Sequence, residues 1–498
     1  MGNKKKNERR VKRLVGTFTI PSGEEAFGDL LVKGERTLLS IHSESRIPSV
    51  GFGATILGTA VTGERLTLID CQDHGGGASV DRDGSAIFNF NIFPHYLCVG
   101  RFHIDPKTAS IERVEFSTQD TYRLFTDFNA FGSIHSAEPF MEVLNQLLPT
   151  KIKTGDCPII QYFSGSNPIA KVDTIIGEIT VENRPSSSSG GPEGVYIDNK
   201  VVISIHKKER MTFTEALDAI QYMRCFLSMA AGRAQTADNI RLILEQSHDD
   251  VPKAVDLYQS FSHKGTRGDL NKPDARDIPF DPVRRPDEFN QSIQNWLVRH
   301  STWKNARIRY PGCLEKTPMY DIDRLVAAAN MFDILPDTAL PVAIPLPADL
   351  EATKTECLQM FRKHSWSVDR DGALSALGRL GKPSLPKKVA HRISIIEPAL
   401  GAKFPGLQTV GAVAIKCRNY FVHGSTADID HEKIAHLIPF LTDALEFIFC
   451  ASDLVEAGWD ANRWAANHHG FGHSFARFRV EYISASIELQ EIIKPTSG

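Results

Sequence analysis

The chain has 498 residues, a formal net charge of -3, and 42% hydrophobic, 9% aromatic and 23% charged residues. That length holds two or three domains with ample core, and the composition is that of an ordinary globular protein. The slightly acidic balance excludes a general attraction to nucleic acid, so any such contact must come from local basic patches.

The eight cysteines are scattered, and none forms the C-x-x-C pair of a compact zinc site. They are expected to be reduced, mostly buried thiols. No apolar run is expected to reach the roughly 18 residues that cross a bilayer, and the start lacks an apolar signal core. A cytoplasmic protein without membrane contact is expected. Residues 1–14 form a basic tail, dense in Lys and Arg between Asn3 and Arg13, which reads as solvated chain.

Residues 15–262 are expected to form a β-rich domain. Gly16–Ile20 alternates, Leu30–Val32 and Thr37–Ile41 flank the turn at Gly34-Glu35, and Arg65–Ile69 follows the Thr62-Gly63 turn. Further runs at 86–92, 96–104, 111–116, 171–181 and 201–205 continue the pattern, and many short strands with Gly-containing turns suggest a sandwich-like layer structure. Pro139–Leu148 reads as a short helix. Asp70, Asp73 and His74 read as turn chemistry at a strand end, Gly75–Gly77 as a loop, and Arg184–Pro192 as a low-complexity loop.

At Thr212 the period changes. Thr212 and Glu215 match a capping box, and Ala216, Leu217, Ile220, Met223 and Leu227 follow helical spacing up to Gly232. Helices are then expected over 237–246 and 251–261. Residues 263–286, rich in Pro, Gly and charge, read as a linker. Residues 287–498 are expected to be an α-helical domain, with helices over 287–299, 321–335, 349–363, 386–398, 407–423 and 431–457 and one more before Leu489. The predicted fold class is thus α+β multidomain, a β-rich part followed by a helical bundle.

The segment Cys417-Arg-Asn-Tyr-Phe-Val-His-Gly424 carries the chemistry. Arginine holds phosphate oxygens as a permanently charged fork, and histidine moves protons near neutral pH; together they suit phosphodiester cleavage without a metal. Leu407, Val410, Ala414, Cys417 and Phe421 form an apolar seam, which leaves Lys416, Asn419 and His423 on the opposite face. At about 100° per residue Arg418 and His423 point about 140° apart, which favours a symmetric dimer with a composite site. Gly424 reads as a C-cap and Asp430 as the next N-cap.

Lys387, Lys388 and Arg392, with Lys382, form a basic group before this helix, and Arg477, with Arg463 and Arg479, a second one near Asn467–His473. Both are candidate RNA contacts. His469 and His473 at a spacing of four raise a metal site, but Gly470 and Gly472 favour a structural turn. No cofactor is expected.

Arg418-Asn419-x-x-x-His423 resembles the R-N-x3-H signature of the HEPN superfamily, small helical bundles that include metal-independent ribonucleases. Asp321–Leu335 resembles the first long helix of that bundle. Leu57–Cys71 and Leu97–His103 resemble the β-rich N-terminal domain of ApeA-type proteins, a bacterial antiphage family that joins such a domain to a C-terminal HEPN domain.

The resemblance implies an endoribonuclease, acting on tRNA or other structured RNA, that arrests infected cells when a phage-derived trigger reaches the N-terminal domain. It implies His423 as general base or acid, Arg418 as phosphoryl stabiliser, Asn419 as an orienting group, and Asp323 or Asp333 as an acid beside the arginine. The alternative is a non-catalytic HEPN module that dimerises and binds RNA.

Overall fold

The computed structural model describes residues 12–45, 49–80, 86–127, 130–188, 194–245, 252–262, 265, 272–317, 319–342, 345–424, 430–468 and 470–493. Most of the basic tail and most of 263–271 lie outside the described residues. The chain divides into two compact units, residues 1–267 with 280–298 and residues 268–279 with 299–498.

The first unit is built from antiparallel strands, and the first six close on themselves. Strands β1 (Lys12–Thr19), β2 (Glu25–Val32), β3 (Leu38–Ser43), β4 (Ala54–Ala60), β5 (Arg65–Val80) and β6 (Ala86–Gly100) pair in the ring β1–β2–β3–β6–β5–β4–β1. Alternate residues point inward, so Phe18, Leu30, Leu39, Ile41, Ile56, Leu66 and Leu68 meet in one core. Ring closure removes exposed strand edges and gives the β-rich layer a barrel form. Phe18 lies opposite Gly58, and a Cβ on Gly58 would stand 2.5 Å from its ring, so the missing side chain is what admits the aromatic.

β5 is far longer than the alternation at 65–69 suggests. Gly75–Gly77 lie inside it rather than in a loop, because Gly76 passes so close to β6 that a Cβ would be 2.4 Å from the Asn89 carbonyl oxygen. Asp70 and Asp73 are likewise within the strand. Asp70 takes a positive φ of 54° where the β4–β5 register shifts; this bulge re-aims its carboxylate onto His95 Nδ1. Asp73 accepts from the Val50 amide at 3.2 Å.

The rest of the sheet grows from the second half of β6. It takes β7 (Ile111–Thr118), β10 (Ala170–Thr174), β11 (Gly177–Ser188), β12 (Tyr196–Met211), β13 (Ala237–Glu245) and β14 (Lys253–Gln259) in the order β6–β14–β13–β7–β12–β11–β10, while β8 (Phe131–Ile134) and β9 (Ile160–Phe163) pair separately. The helices expected over 237–246 and 251–261 are therefore strands. Ile240 and Leu242, and Val255 and Leu257, are buried at a spacing of two, a period obscured by neighbouring apolar residues. Residues 184–188, expected as loop, extend β11 against Tyr196–Lys200; residues 189–193 lie outside the described ones.

Helices α1 (Thr121–Leu124), α2 (Glu138–Leu147) and α3 (Phe213–Ala231) complete this region. α3 begins with the expected capping box, Thr212 Oγ1 accepting from the Glu215 amide and Glu215 from the Thr212 amide, and ends at Gly232 with φ 63°. Inside the unit, Asp120 is held by Arg233 and Gln235, all three fully or nearly fully buried.

The second unit is helical. The helices are α4 (Pro286–Arg307, from Arg299 on), α5 (Arg309–Glu315), α6 (Ile322–Asp333), α7 (Ala348–Lys363), α8 (Val368–Arg379), α9 (Leu385–Leu400), α10 (Leu407–His423), α11 (His431–Ile434), α12 (Ile438–Ala457), α13 (Ala461–Ala466) and α14 (Ser474–Ile493). α5, α8 and α13 were not foreseen; the first and last are only one to two turns long.

α12 is the core, packed by α6, α9, α10 and α14 and buried over almost its whole length. Within His431–Ala457 an 18-residue window has a mean hydropathy of 1.6, long and apolar enough to cross a membrane, and 78% of that window is buried inside the protein. This corrects the expectation that no run reaches such length: the apolarity belongs to the central helix of a bundle.

That core also holds charge. Arg324 pairs bidentately with Glu446 at 2.8 and 2.9 Å, and Arg307 with Asp453 at 2.8 Å through two bonds. Burial pushes the Asp443 and Glu446 carboxyls up, Arg477 and Arg324 offsetting part of this. For Asp453 burial acts the same way, but Arg307 and Arg299 outweigh it and hold the carboxyl below its ordinary range. Buried charges persist only when paired in this manner.

Candidate functional site

The site is built on the last turns of α10. Of the five predicted seam residues Leu407, Val410, Ala414 and Cys417 are buried and Phe421 is half-buried; burial pushes the Cys417 thiol up to about 11, which leaves it an inert packing group. Gly411 lets α9 approach, since a Cβ there would sit 3.0 Å from Ile393. The helix stops at Gly424, φ 64°, whose amide donates to the Tyr420 carbonyl, and Asp430 caps the next helix through the Lys433 amide at 3.3 Å. Lys416 and His423 are exposed and Asn419 is half-buried.

Arg418 is where the elements meet. Its Nη2 donates to Asn330 Oδ1 at 3.0 Å and to Asp333 Oδ2 at 3.3 Å, both on the last turn and a half of α6. Its Nη1 donates to Asn419 Oδ1 at 3.1 Å and lies 3.4 Å from His423 Nε2, a hydrogen bond in the tautomer that leaves Nε2 bare. The arginine's length thus closes the angular gap that helical geometry alone leaves between residues 418 and 423.

Four groups around one guanidinium fix its plane, while Asp333 and His423 remain open to solvent. Such a cation beside a proton carrier can hold an anion and transfer a proton at neighbouring points. Beside it, Tyr420 stacks on His431 with ring centroids 3.6 Å apart.

The remaining expected residues divide. Of the two acids, Asp333 reaches Arg418; Asp323 sits ten residues earlier, about 15 Å along the helix axis, exposed in the first turn of α6. Lys388 Nζ donates to the Asp333 carbonyl oxygen at 2.8 Å, which brings that cation to the end of α6, and Lys387 is exposed beside it.

Arg392 is corrected: it is fully buried, bonded to Glu456 at 2.8 and 2.9 Å and to Ser452 at 2.9 Å, because its helix face turns into the bundle. Arg477 is corrected as well, since it donates to Tyr320 Oη at 3.0 Å and Asp443 at 3.4 Å. Of its neighbours, Arg463 pairs with Asp460 and Arg479 lies over the Trp464 ring.

Gly470 and Gly472 have a structural part, their amides donating to the Asp277 carboxylate at 2.7 and 2.6 Å, and His473 is buried. His469 lies outside the described residues. Among the described residues no group of three or more His, Cys, Asp or Glu is arranged to hold a metal ion. The residue that sequence reasoning missed is Asn330, whose only signal is its place three residues before Asp333 on one helix face.

No curated protein and no solved structure matches the chain. The model of the ApeA N-terminal domain 1 matches residues 13–296, more than half the chain, and takes in the whole strand-rich region. The chain therefore belongs to the ApeA family and is an ApeA-type antiphage defence protein.

Proposed function

We propose that the helical unit is a HEPN-type, metal-independent endoribonuclease, and that cleavage of tRNA or other structured RNA arrests the infected cell. The observation that carries this reading is the Arg418 guanidinium lying 3.4 Å from His423 Nε2 while Asn330, Asp333 and Asn419 fix its plane.

In this reading Arg418 takes the charge on the phosphoryl oxygens. His423 removes the proton of the ribose 2′-hydroxyl, or returns one to the departing 5′-oxygen, with the partner subunit supplying the second proton carrier in a symmetric dimer. The 2′-oxygen bonds to phosphorus as the bond to the 5′-oxygen breaks, giving a 2′,3′-cyclic phosphate and a 5′-hydroxyl. Lys388, Lys387 and Lys416 hold the RNA backbone, and the N-terminal domain senses the trigger and restrains or releases the nuclease, in the cytoplasm.

The test is incubation of purified protein with total RNA in EDTA, alone and with lysate from infected cells. Cleavage that His423→Ala and Arg418→Ala abolish supports the reading. Undiminished cleavage by His423→Ala, or none under any activating condition, overturns it; full RNA affinity and full biological effect in both variants would instead mark a non-catalytic dimerisation and RNA-binding module.

A further inference from the structure

Between α6 and α9 the chain leaves the bundle as a two-helix hairpin. α7 and α8 pack on each other, and no residue of either helix is buried. At most they half-bury a few residues, among them Cys357 and Leu358 on α7 and Leu374 and Leu377 on α8, and short helices gain little from propensity alone, so a core role does not account for this pair.

Its base is at the candidate site: α6 ends with Asn330 and Asp333, α9 begins with Lys387 and Lys388, and the bond from Lys388 Nζ to the Asp333 carbonyl oxygen at 2.8 Å pins the two ends. The shaft of α7, 16 residues, is about 24 Å long.

The tip is preorganised. Arg370 closes the turn, its guanidinium donating to the Phe361 carbonyl at 2.9 Å and the Arg362 carbonyl at 3.3 Å. Trp366 is 74% exposed, yet its indole Nε1 donates to Asp371 at 2.9 Å, which fixes the ring by its edge and leaves the faces free. Arg362, Lys363 and His364 are all exposed beside it, and among the described residues neither Arg362 nor Lys363 has a carboxylate partner. Of the nearby acids, Asp371 is engaged with Arg370 and Trp366, which leaves Asp369. Met360 and Val368 add exposed apolar surface.

A fixed, open indole flanked by unpaired cations is the arrangement that takes an unpaired base and its phosphates. We infer that the α7–α8 tip is an RNA-recognition arm: Trp366 stacks an unpaired base of a looped RNA while Arg362 and Lys363 hold its backbone, positioning the strand for the site at the hairpin's base. This deepens, and rests on, the ribonuclease reading.

The test uses full-length protein carrying His423→Ala, in EDTA, with a fluorescein-labelled RNA stem-loop and the same stem as a blunt duplex. Trp366→Ala is expected to weaken stem-loop binding about 5- to 150-fold, the range that base stacking on one ring supplies. It should leave duplex binding unchanged, and Trp366→Phe should retain affinity. Replacing Arg362 and Lys363 by Ala should lower the slope of log K against log salt by about 0.7 per cation.

Unchanged stem-loop affinity in Trp366→Ala, no RNA binding by the parent, or a change of molar mass by light scattering without an RNA effect would each overturn the arm, the last pointing to a protein-docking tip. Cleavage assays with His423 intact separate the two readings: arm variants should raise KM and keep kcat, and a protein that never cuts leaves the binding result standing.

Discussion

Arg418 Nη1 lies 3.4 Å from His423 Nε2, and its Nη2 holds Asn330 and Asp333 of a different helix. One guanidinium thus ties the motif on α10 to the end of α6. Arg418→Lys keeps the charge but cannot serve four partners from one ammonium. It should lower RNA cleavage about 100- to 1000-fold, as loss of a transition-state donor does, without shifting the denaturation midpoint.

Asn330 and Asp333 act through Arg418. Asn330→Ala and Asp333→Asn should reduce kcat by about tenfold to a hundredfold through misplacement of the guanidinium. Because the Asp333 pair is half-open to water, its loss should cost only about 0–1 kcal/mol of stability. Single-turnover cleavage and urea denaturation check the two halves.

Arg324 is different, being fully buried against Glu446. Arg324→Ala strands that carboxylate in the core and should destabilise the helical unit by about 3–5 kcal/mol, seen as a lower denaturation midpoint. Arg392→Ala should likewise lower stability while leaving the salt dependence of RNA binding unchanged, because its side chain never reaches solvent.

His300 gives the helical unit an acid-sensitive window. Burial, with Arg307 beside it, pulls its pKa down to about 3. Between pH 6.5 and 3 the unfolded chain binds a proton that the folded one refuses, so stability rises with pH there and falls on acidification. The loss from this group should be about 1.4 kcal/mol for each pH unit below 6.5. His300→Gln should flatten the dependence of the thermal denaturation midpoint on pH across that window; equal acid sensitivity in both proteins would count against the buried neutral imidazole.

In the barrel, Gly58→Ala places a Cβ 2.5 Å from the Phe18 ring and should cost about 1–3 kcal/mol by overpacking. Adding Phe18→Leu should recover part of that loss, and a double-mutant cycle on thermal stability measures the coupling.

What the sequence determined by itself is local. The capping box at Thr212 and Glu215, the stop at Gly232, and a helix from Leu407 to His423 closed by Gly424 all rest on residues within a turn or two of one another, so their signals survive without the fold. The α10 seam was legible for the same reason, whereas an acid beside Arg418 was only implied by the family resemblance, with Asp323 and Asp333 both open until packing brought Asp333 to it.

Tertiary structure alone decided the rest. Residues 237–245 and 253–259 carry both periods and became strands because β7 and β6 offered edges to pair with. The strands closed into a ring because β6 pairs on both sides, a relation between distant segments. Arg392 and Lys388 stand four residues apart with the same charge, yet one is sealed under Glu456 and the other reaches Asp333. Residues four apart share a helix face, so only packing decides that α12 covers the turn at Arg392 while the turn at Lys388 meets the end of α6, and that separates a structural cation from one beside the candidate site.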